Sequence, residues 1–387
     1  MYSNDDFALM TRALALAERG MYTTTPNPRV GCVLVRDGRV IGEGFTQPAG
    51  SDHAEVRALK DARARGIDVR GASAYVTLEP CSHVGRTPAC AHTLVQAGIA
   101  RVVAAMEDPN PRVSGRGLEI LRAAGIEVRC GLLESAAREL NIGFVKRMIQ
   151  GRPWVRLKVA ASLDGRTALA NGRSQWLTGP EARRDGHRWR ARACAVLTGV
   201  GTVRADDPQL TVRAIETPRQ PQRVLLDSKL AASPEAKIFD DGAALVICAS
   251  DDGDAAPRAA RLRERGAEVV ALPDADGRVD LAAALDLLGA REINELHLEA
   301  GYKLNGAWLR AGLVDELLVY MAPSLLGNHA LGMFGLPALD TLDARIKLHF
   351  HAVEAVGSDL RLLLRPTDGD ETVPAILQPA VPTPPRA

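Results

Sequence analysis

Residues 30–44 read VGCVLVRDGRVIGEG. Val30 to Val35 and Val40 to Gly44 read as two strands, and Asp37-Gly38 between them favours a tight hairpin turn. Upstream, Phe7, Met10, Leu14 and Ala17 fall on one face of a helix over 4–20, which Gly20 is placed to end. Downstream the pattern alternates: a helix after His53, a strand over 74–78, a helix around Leu94, a strand over 101–106, a helix near Leu118 and a strand over 126–130. That alternation predicts an α/β layer structure with one sheet between helices. A helix over 134–148 then meets Gln150-Gly151-Arg152-Pro153, a break that divides a first domain, 1–149, from a second, 150–366.

The second half alternates again. Strands are expected over 154–160, 195–198, 224–226, 245–248, 268–272 and 295–299, with helices over 258–264 and 281–288. Its close differs, because 314–321, 347–350 and 360–364 read as consecutive strands and predict antiparallel pairs. From Thr367 the chain is polar and proline-rich (PAVPTPPRA), so 367–387 is expected to be a disordered tail. A chain of 387 residues suits two or three domains at about 150 residues each.

Composition excludes several classes. Lys plus Arg number 48 against 47 Asp plus Glu, so bulk charge gives no case for a nucleic-acid or membrane-surface partner. No apolar run approaches the ~20 residues of a membrane span, and the N-terminus lacks the pattern of a secretory signal. Six cysteines in a chain this long do not make a disulfide scaffold. Cys32, Cys130, Cys194 and Cys248 read as buried thiols, and a cytoplasmic enzyme is expected.

Cys81 and Cys90 are different. With His53-Ala54-Glu55 they form a His-x-Glu and Pro-Cys…Cys set, the pattern of zinc-dependent nucleobase deaminases. One imidazole and two thiolates can hold Zn²⁺ and leave its fourth position to water, whose pKa then falls from ~15.7 toward ~7. A carboxylate must also move protons, and Glu55 is the candidate. Positions i and i+2 do not share a helix face, so His53 and Glu55 converge only in a first turn aimed end-on at the site. Ser51-Asp52 would cap it. The alternative is a closed structural site completed by His83 or His92, which gives Glu55 no task. The spacing Cys-x8-Cys is longer than the general deaminase Cys-x2-Cys.

The stretch TTPNPRVGCVLV (24–35), with His53-Ala54-Glu55 and EPCSHVGRTPAC (79–90), resembles the deaminase half of the bifunctional riboflavin-biosynthesis family, where the longer cysteine spacing is normal. The resemblance implies a cytidine-deaminase-like three-layer α/β/α domain, zinc on His53, Cys81 and Cys90, and Glu55 as proton shuttle. It also implies Asn27 and the loop of His83 and Arg86 as substrate contacts.

CAVLTGVG (194–201) is a buried strand running into two glycines and Thr202, but Arg204 stands where a dinucleotide fingerprint needs its third glycine. Taken alone it is a tight strand-to-helix turn, and Asp227 at the end of RVLLD only imitates a ribose-binding acid. However, LKVAASLDGR (157–166), SQW (174–176), WRARA (189–193), TGVGTVRADDPQLTVR (198–213) and LEAGYKLNGA (298–307) follow the order of the same family's reductase domain. That domain is dihydrofolate-reductase-like. The resemblance implies NADPH contacts at Ala160, Trp176, Thr202, Asp206, Ser228 and the turn Gly301, Tyr302, Lys303, Leu304, Asn305, Gly306 and Ala307. It implies substrate contacts at Ser174, Arg190, Leu210, Arg213 and Glu299. Arginines suit a sugar phosphate because a guanidinium can meet two phosphate oxygens at once. Lys158 and Glu299 are the candidates to assist proton movement. Singly, each has a plain structural alternative, such as Trp176 in the core or Glu299 as a strand-end cap.

The implied activity is zinc-dependent deamination of 2,5-diamino-6-ribosylamino-4(3H)-pyrimidinone 5′-phosphate, followed by NADPH-dependent reduction of the ribosyl group to ribityl. A homo-oligomer through the reductase domain, with no nucleic-acid or membrane partner, is expected. Two rivals share the zinc ligands. A nucleic-acid base deaminase needs an aromatic-lined strand path, for which 4% aromatic residues is poor. A non-catalytic zinc-stabilised module leaves Glu55 and the second half unexplained.

Overall fold

Alternating helix and strand signals resolve into the following elements in chain order. The first half holds α1 (Asn4–Glu18), β1 (Gly31–Arg36), β2 (Arg39–Phe45), α2 (Ala54–Ala64), β3 (Ser73–Val76), α3 (Cys90–Gln96), β4 (Arg101–Ala104), α4 (Arg116–Ala123), β5 (Glu127–Cys130), α5 (Glu134–Leu140) and α6 (Ile142–Gln150). Then come β6 (Trp154–Ser162), β7 (Arg166–Ala168), α7 (Pro180–Arg192), β8 (Ala195–Gly199), α8 (Val200–Asp206), β9 (Gln222–Leu226), β10 (Ala244–Cys248), α9 (Ala256–Glu264), β11 (Glu268–Ala271) and α10 (Leu281–Ala290). The chain closes with β12 (Glu295–Leu298), α11 (Tyr302–Arg310), β13 (Glu316–Ala322), β14 (Leu331–Gly332), β15 (Leu348–Val356) and β16 (Asp359–Pro366). This computed structural model describes residues 1–82, 89–111, 113–240, 242 and 244–367. The expected tail lies, from residue 368, outside the described residues.

The first sheet has the order β2-β1-β3-β4-β5. β1 is antiparallel to both β2 and β3, and β3, β4 and β5 run parallel. Asp37 and Gly38 turn the hairpin with φ of 52° and 72°, the left-handed pair that an Asp-Gly turn supplies. Cys32, Val33, Leu34, Val76, Val102 and Val103 are wholly buried, as strands covered by helices on both faces require.

Missing side chains set how close the helices come. A Cβ at Gly31 would fall 1.9 Å from the Ala13 carbonyl oxygen of α1. Cβ atoms at Gly42 and Gly44 would fall 2.4 Å from the carbonyl oxygens of Ala58 and Ala54 in α2. α2 therefore lies directly on β2, and it buries Ala54, Ala58 and Ala62 along one stripe with Glu55 beside them. Because β1 runs against its neighbours, Gly31 sits opposite Phe45 and Cys32 opposite Val76. The chain entering β1 and the chains leaving β2 and β3 thus emerge at one end of the sheet. Asn27, His53 and Cys81 all belong to those three segments.

Two compact units follow from the contacts. One combines Met1–Val155 with Arg184–Ala300, and the other Arg156–Arg183 with the chain from Gly301. The first unit also holds five parallel strands in the order β11-β10-β9-β8-β12. In the second unit β6 is parallel to β13, and β13, β16 and β15 are antiparallel, as the closing strands predict. Arg156 and Arg365 both pair with buried Glu316 there, so its charge is compensated from two neighbouring strands.

Four local readings need correction. The helix expected over 134–148 breaks into α5 and α6 at Asn141, whose side chain accepts from the Arg29 backbone N–H at 2.7 Å and donates to the Arg29 carbonyl at 2.9 Å. The N-cap of α2 is His53 itself, not Ser51 or Asp52. Cys130 is half-buried rather than buried. The helices α7 and α8 carry too much charge or glycine to show an apolar stripe, and their periodicity alone does not reveal them. Replacing Gly44 by Ala forces α2 off β2. We expect this change to lower stability by about 1–3 kcal/mol in denaturant unfolding.

Candidate active site

The segment leaving β2 ends at His53, which caps α2 with extended φ/ψ, and places Glu55 in the first helical turn. The segment leaving β3 carries Cys81, and Cys90 opens α3. His53 Nδ1 lies 3.2 Å from Cys90 Sγ and 3.7 Å from Cys81 Sγ, and the Cys90 backbone N–H donates to Cys81 Sγ at 3.3 Å. The three donor atoms lie within 4.8 Å of one another. Among the described residues no fourth His, Cys, Asp or Glu joins this group. His92 is on α3 but outside the cluster, and His83 lies outside the described residues.

The donor chemistry fits zinc. A borderline-soft cation takes an imidazole and two thiolates in a set left open at one position. Hydrogen bonding from Cys90, and then from His53, holds the Cys81 thiol well below its ordinary value. The bond to Cys81 in turn raises the His53 imidazole. A cation replaces those shared protons when it binds. Glu55 is 4% exposed, and burial, reinforced by Cys81, pushes its carboxyl up to about 7. A group poised there can both take and return a proton at neutral pH.

Glu79 has no role in the reading of the sequence, yet it holds this site in shape. Its buried carboxylate accepts from the backbone N–H groups of Asp108 (2.9 Å), Gly115 (2.9 Å) and Gly117 (2.7 Å). A Cβ at Gly117 would fall 1.9 Å from the Pro80 carbonyl oxygen, so the anchored loop presses on the residue before Cys81. A glutamate at the end of an apolar strand, next to Pro-Cys, is the sequence signal for it. Asn27 sits half-buried in the loop before β1 with its N–H bonded to the Thr24 carbonyl. Arg86, like His83, lies outside the described residues.

In the first unit the parallel strands deliver a second set of residues to their carboxyl edge, where open α/β sheets bind ligands. β8 ends at Gly199, the N-cap of α8, and Thr202 follows in its first turn. β9 leads to Asp227 and half-buried Ser228, and β12 leads to Glu299. Asp206 ends α8 on the surface. Arg190 of α7 grips Glu299 at two points, Nε at 2.5 Å and Nη2 at 2.8 Å, and donates to the Thr211 carbonyl at 3.1 Å. Arg213 is exposed, and its backbone N–H donates to His187 Nδ1 at 3.4 Å. Partial desolvation of its guanidinium first, and then the charge of Arg190, push it below its ordinary value. Two like charges facing one carboxylate suit a phosphate. Leu210 is buried with φ 54° and shapes the loop between them. Asp227 is an anchor, its carboxylate accepting from the Ala232 N–H at 2.7 Å.

In the second unit Trp176 is 68% exposed with the Arg183 guanidinium over its ring, so it is not core. Ser174 is half-buried nearby in sequence. Ala160 and Lys158 lie on β6 opposite Tyr320 and Leu318. Gly301 caps α11, which runs through Tyr302, Lys303, Leu304, Asn305, Gly306 and Ala307. A Cβ at Gly306 would fall 2.3 Å from the Gly335 carbonyl oxygen, so that glycine serves packing. In the first unit the start of α8, without a side-chain cap, stands with the strand-end Thr202 and Ser228, and in the second unit the start of α11 likewise lacks a side-chain cap; each start suits a phosphate group.

The family model described as "Cytidine and deoxycytidylate deaminase zinc-binding region" matches residues 3–106, and "RibD C-terminal domain" matches 153–362. The Riboflavin biosynthesis protein RibD of Escherichia coli (strain K12) is 48% identical, over 92% of this chain and 98% of its own length. That of Haemophilus influenzae is 46% identical, over 94% and 98%. Acinetobacter baumannii RibD superposes with a TM-score of 0.86 at 43% identity, covering 94% of this chain and 99% of that one. A diaminohydroxyphosphoribosylaminopyrimidine deaminase/5-amino-6-(5-phosphoribosylamino)uracil reductase from Thermotoga maritima gives 0.83 at 36% identity, with the same coverage.

Metal analysis after dialysis tests the donor set. About one zinc per chain is expected, falling to about a tenth or less in Cys81→Ala and Cys90→Ala and unchanged in His92→Ala. Loss of zinc in His92→Ala would point to a closed site.

Proposed function

The chain belongs to the RibD family, and we propose that its deamination is carried by His53, Cys81, Cys90 and Glu55 and its reduction by the residues around Arg190 and Glu299. It is a bifunctional deaminase and reductase of riboflavin biosynthesis that uses zinc and NADPH. The carrying observation is the buried carboxylate of Glu55 beside a three-donor set with no fourth donor among the described residues.

Deamination exchanges an exocyclic amine for oxygen from water and releases ammonia. His53, Cys81 and Cys90 would hold the zinc, which when bound would supply the Lewis acidity that makes water a nucleophile at neutral pH. Glu55, buried beside the three donors, is placed to take a proton from the attacking water and to pass it to the departing nitrogen. Asn27, on the loop at the same end of the sheet, orients the pyrimidine nucleotide, and His83 and Arg86 are proposed to assist.

Reduction of ribosyl to ribityl adds a hydride and a proton, and NADPH supplies the hydride. Ala160, Trp176, Thr202, Asp206, Ser228 and the 301–307 turn are the proposed holders of the cofactor. Ser174, Arg190, Leu210, Arg213 and Glu299 are the proposed holders of the substrate, the arginines taking its phosphate. The two-point pair with Arg190 supports Glu299 as a group that fixes the sugar, and Lys158 is the proposed proton source.

We keep 1–149 and 150–366 as the limits of the two activities. Gly151 closes α6 in a left-handed turn immediately before β6, and the family models fall on either side. Six free cysteines support the cytoplasm, and a homo-oligomer through the reductase half is part of the same proposal. No helix among the described residues is long and apolar enough to cross a membrane.

Glu55→Gln should keep its zinc and lose ammonia release by ~10²–10⁴-fold, with NADPH oxidation on deaminated substrate unchanged. Undiminished ammonia release would overturn the assignment. Arg213→Ala should raise the reductase KM by about tenfold and leave ammonia release alone, measured with each substrate separately.

A further inference from the structure

The loop that presents Asn27 is held from the second half of the chain. Pro26, just before Asn27, has its carbonyl bonded by Asn294 Nδ2 at 2.9 Å. Thr25 Oγ1 lies 2.9 Å from Cys194 Sγ. Arg29, just after Pro28, is 6% exposed, and its Nη1 donates to Glu295 Oε1 at 2.7 Å and to the Leu140 carbonyl at 2.8 Å. Glu295 is 1% exposed, and its other oxygen accepts from Arg192 Nε at 2.7 Å. All of these residues lie in one compact unit.

Consecutive residues, Asn294 and Glu295, therefore grip the loop on both sides of Asn27. A hydrogen bond to a buried charge resists distortion more than one between neutral groups, because moving the loop would strand Arg29 without its partner. Among the described residues of the deaminase half, Arg29 meets Asn141, which holds only its backbone, and Leu140, which offers a neutral carbonyl.

We propose that Glu295 is a positioning residue for deamination: through Arg29, and together with Asn294, it fixes the loop that carries Asn27. The proposal rests on Asn27 touching the substrate. Glu295 is not a catalytic residue. It lies at the start of β12, whose far end leads to Glu299, and Arg192 stands two positions beyond Arg190 on α7. Two Arg–Glu pairs thus tie one helix to one strand, one at the proposed reductase substrate residues and one at the deaminase loop.

The test is a double-mutant cycle on the full-length, zinc-loaded protein, with ammonia release followed on the diaminopyrimidine nucleotide. Glu295→Gln keeps the side-chain shape and removes the charge. We expect the KM to rise about tenfold with kcat little changed, and zinc content to stay at one per chain. Asn27→Ala alone should also raise KM, and the double variant should be no worse than Asn27→Ala, because both act at one contact. Asn294→Ala, which removes the bond to Pro26 and the acceptor of Arg147 Nε but leaves the buried Arg29–Glu295 pair intact, should give a smaller rise of about threefold and the same non-additivity. It serves if Glu295→Gln does not fold. Multiplicative effects of Asn27→Ala with either partner would overturn the proposal while leaving the role of Asn27 intact, as would an unchanged KM in both Glu295→Gln and Asn294→Ala. An unchanged KM in Asn27→Ala would overturn the role of Asn27 and the proposal with it.

Discussion

An imidazole nitrogen and two sulfur atoms can share a space under 5 Å across only if three separate chain segments are brought to one point and kept there. Two of those segments leave the same end of one sheet, and the third begins a helix. Their meeting depends on how closely α2 lies on β2, and that distance is set by what Gly42 and Gly44 lack. The same contact carries Glu55 into the interior on the buried stripe of α2, where desolvation brings its carboxyl into the range useful for proton transfer. Close packing thus sets both where the donors stand and how readily the neighbouring acid gives up its proton.

The second activity is built on a different constraint. Parallel strands must all end at the same edge, so residues distant in sequence, Thr202, Ser228 and Glu299, reach one side of the first unit without any local motif. Charge then organises that edge. Glu299 holds Arg190 at two points, and Arg213 stands close enough to feel the second positive charge. An excess of guanidinium over carboxylate is what a phosphorylated sugar would neutralise.

Much of this was legible in the sequence, because its causes are local. The Asp-Gly turn dictates the hairpin, apolar runs dictate the buried strands, and the residue types at 53, 55, 81 and 90 can be read as a ligand set with its acid. The i, i+2 spacing of His53 and Glu55 even required a helix start aimed at the site, which is what α2 provides. What escaped was set by tertiary contacts. Asn141 breaks a continuous helical pattern because Arg29, far away in sequence, claims its side chain. The N-cap falls on His53 rather than on the better cap formers before it, with extended backbone and no side-chain cap hydrogen bond. Helices α7 and α8 are held by ion pairs and glycine turns rather than by apolar stripes. The reductase residues were legible only through their likeness to a family, because no spacing rule links strand ends that meet through sheet order. Glu79, Arg29 and Glu295 were silent for the same reason: each satisfies backbone or charge partners supplied by other elements.

The account stands or falls on zinc having one imidazole, two sulfurs and a position left for water. X-ray absorption at the zinc edge of the loaded full-length protein reads that directly. It should give two sulfur scatterers at about 2.3 Å, two lighter atoms at about 2.0–2.1 Å, and the outer-shell signature of a single imidazole. A third sulfur, or the signature of two imidazoles, would mean a closed structural centre and would contradict the hydrolytic role assigned to it.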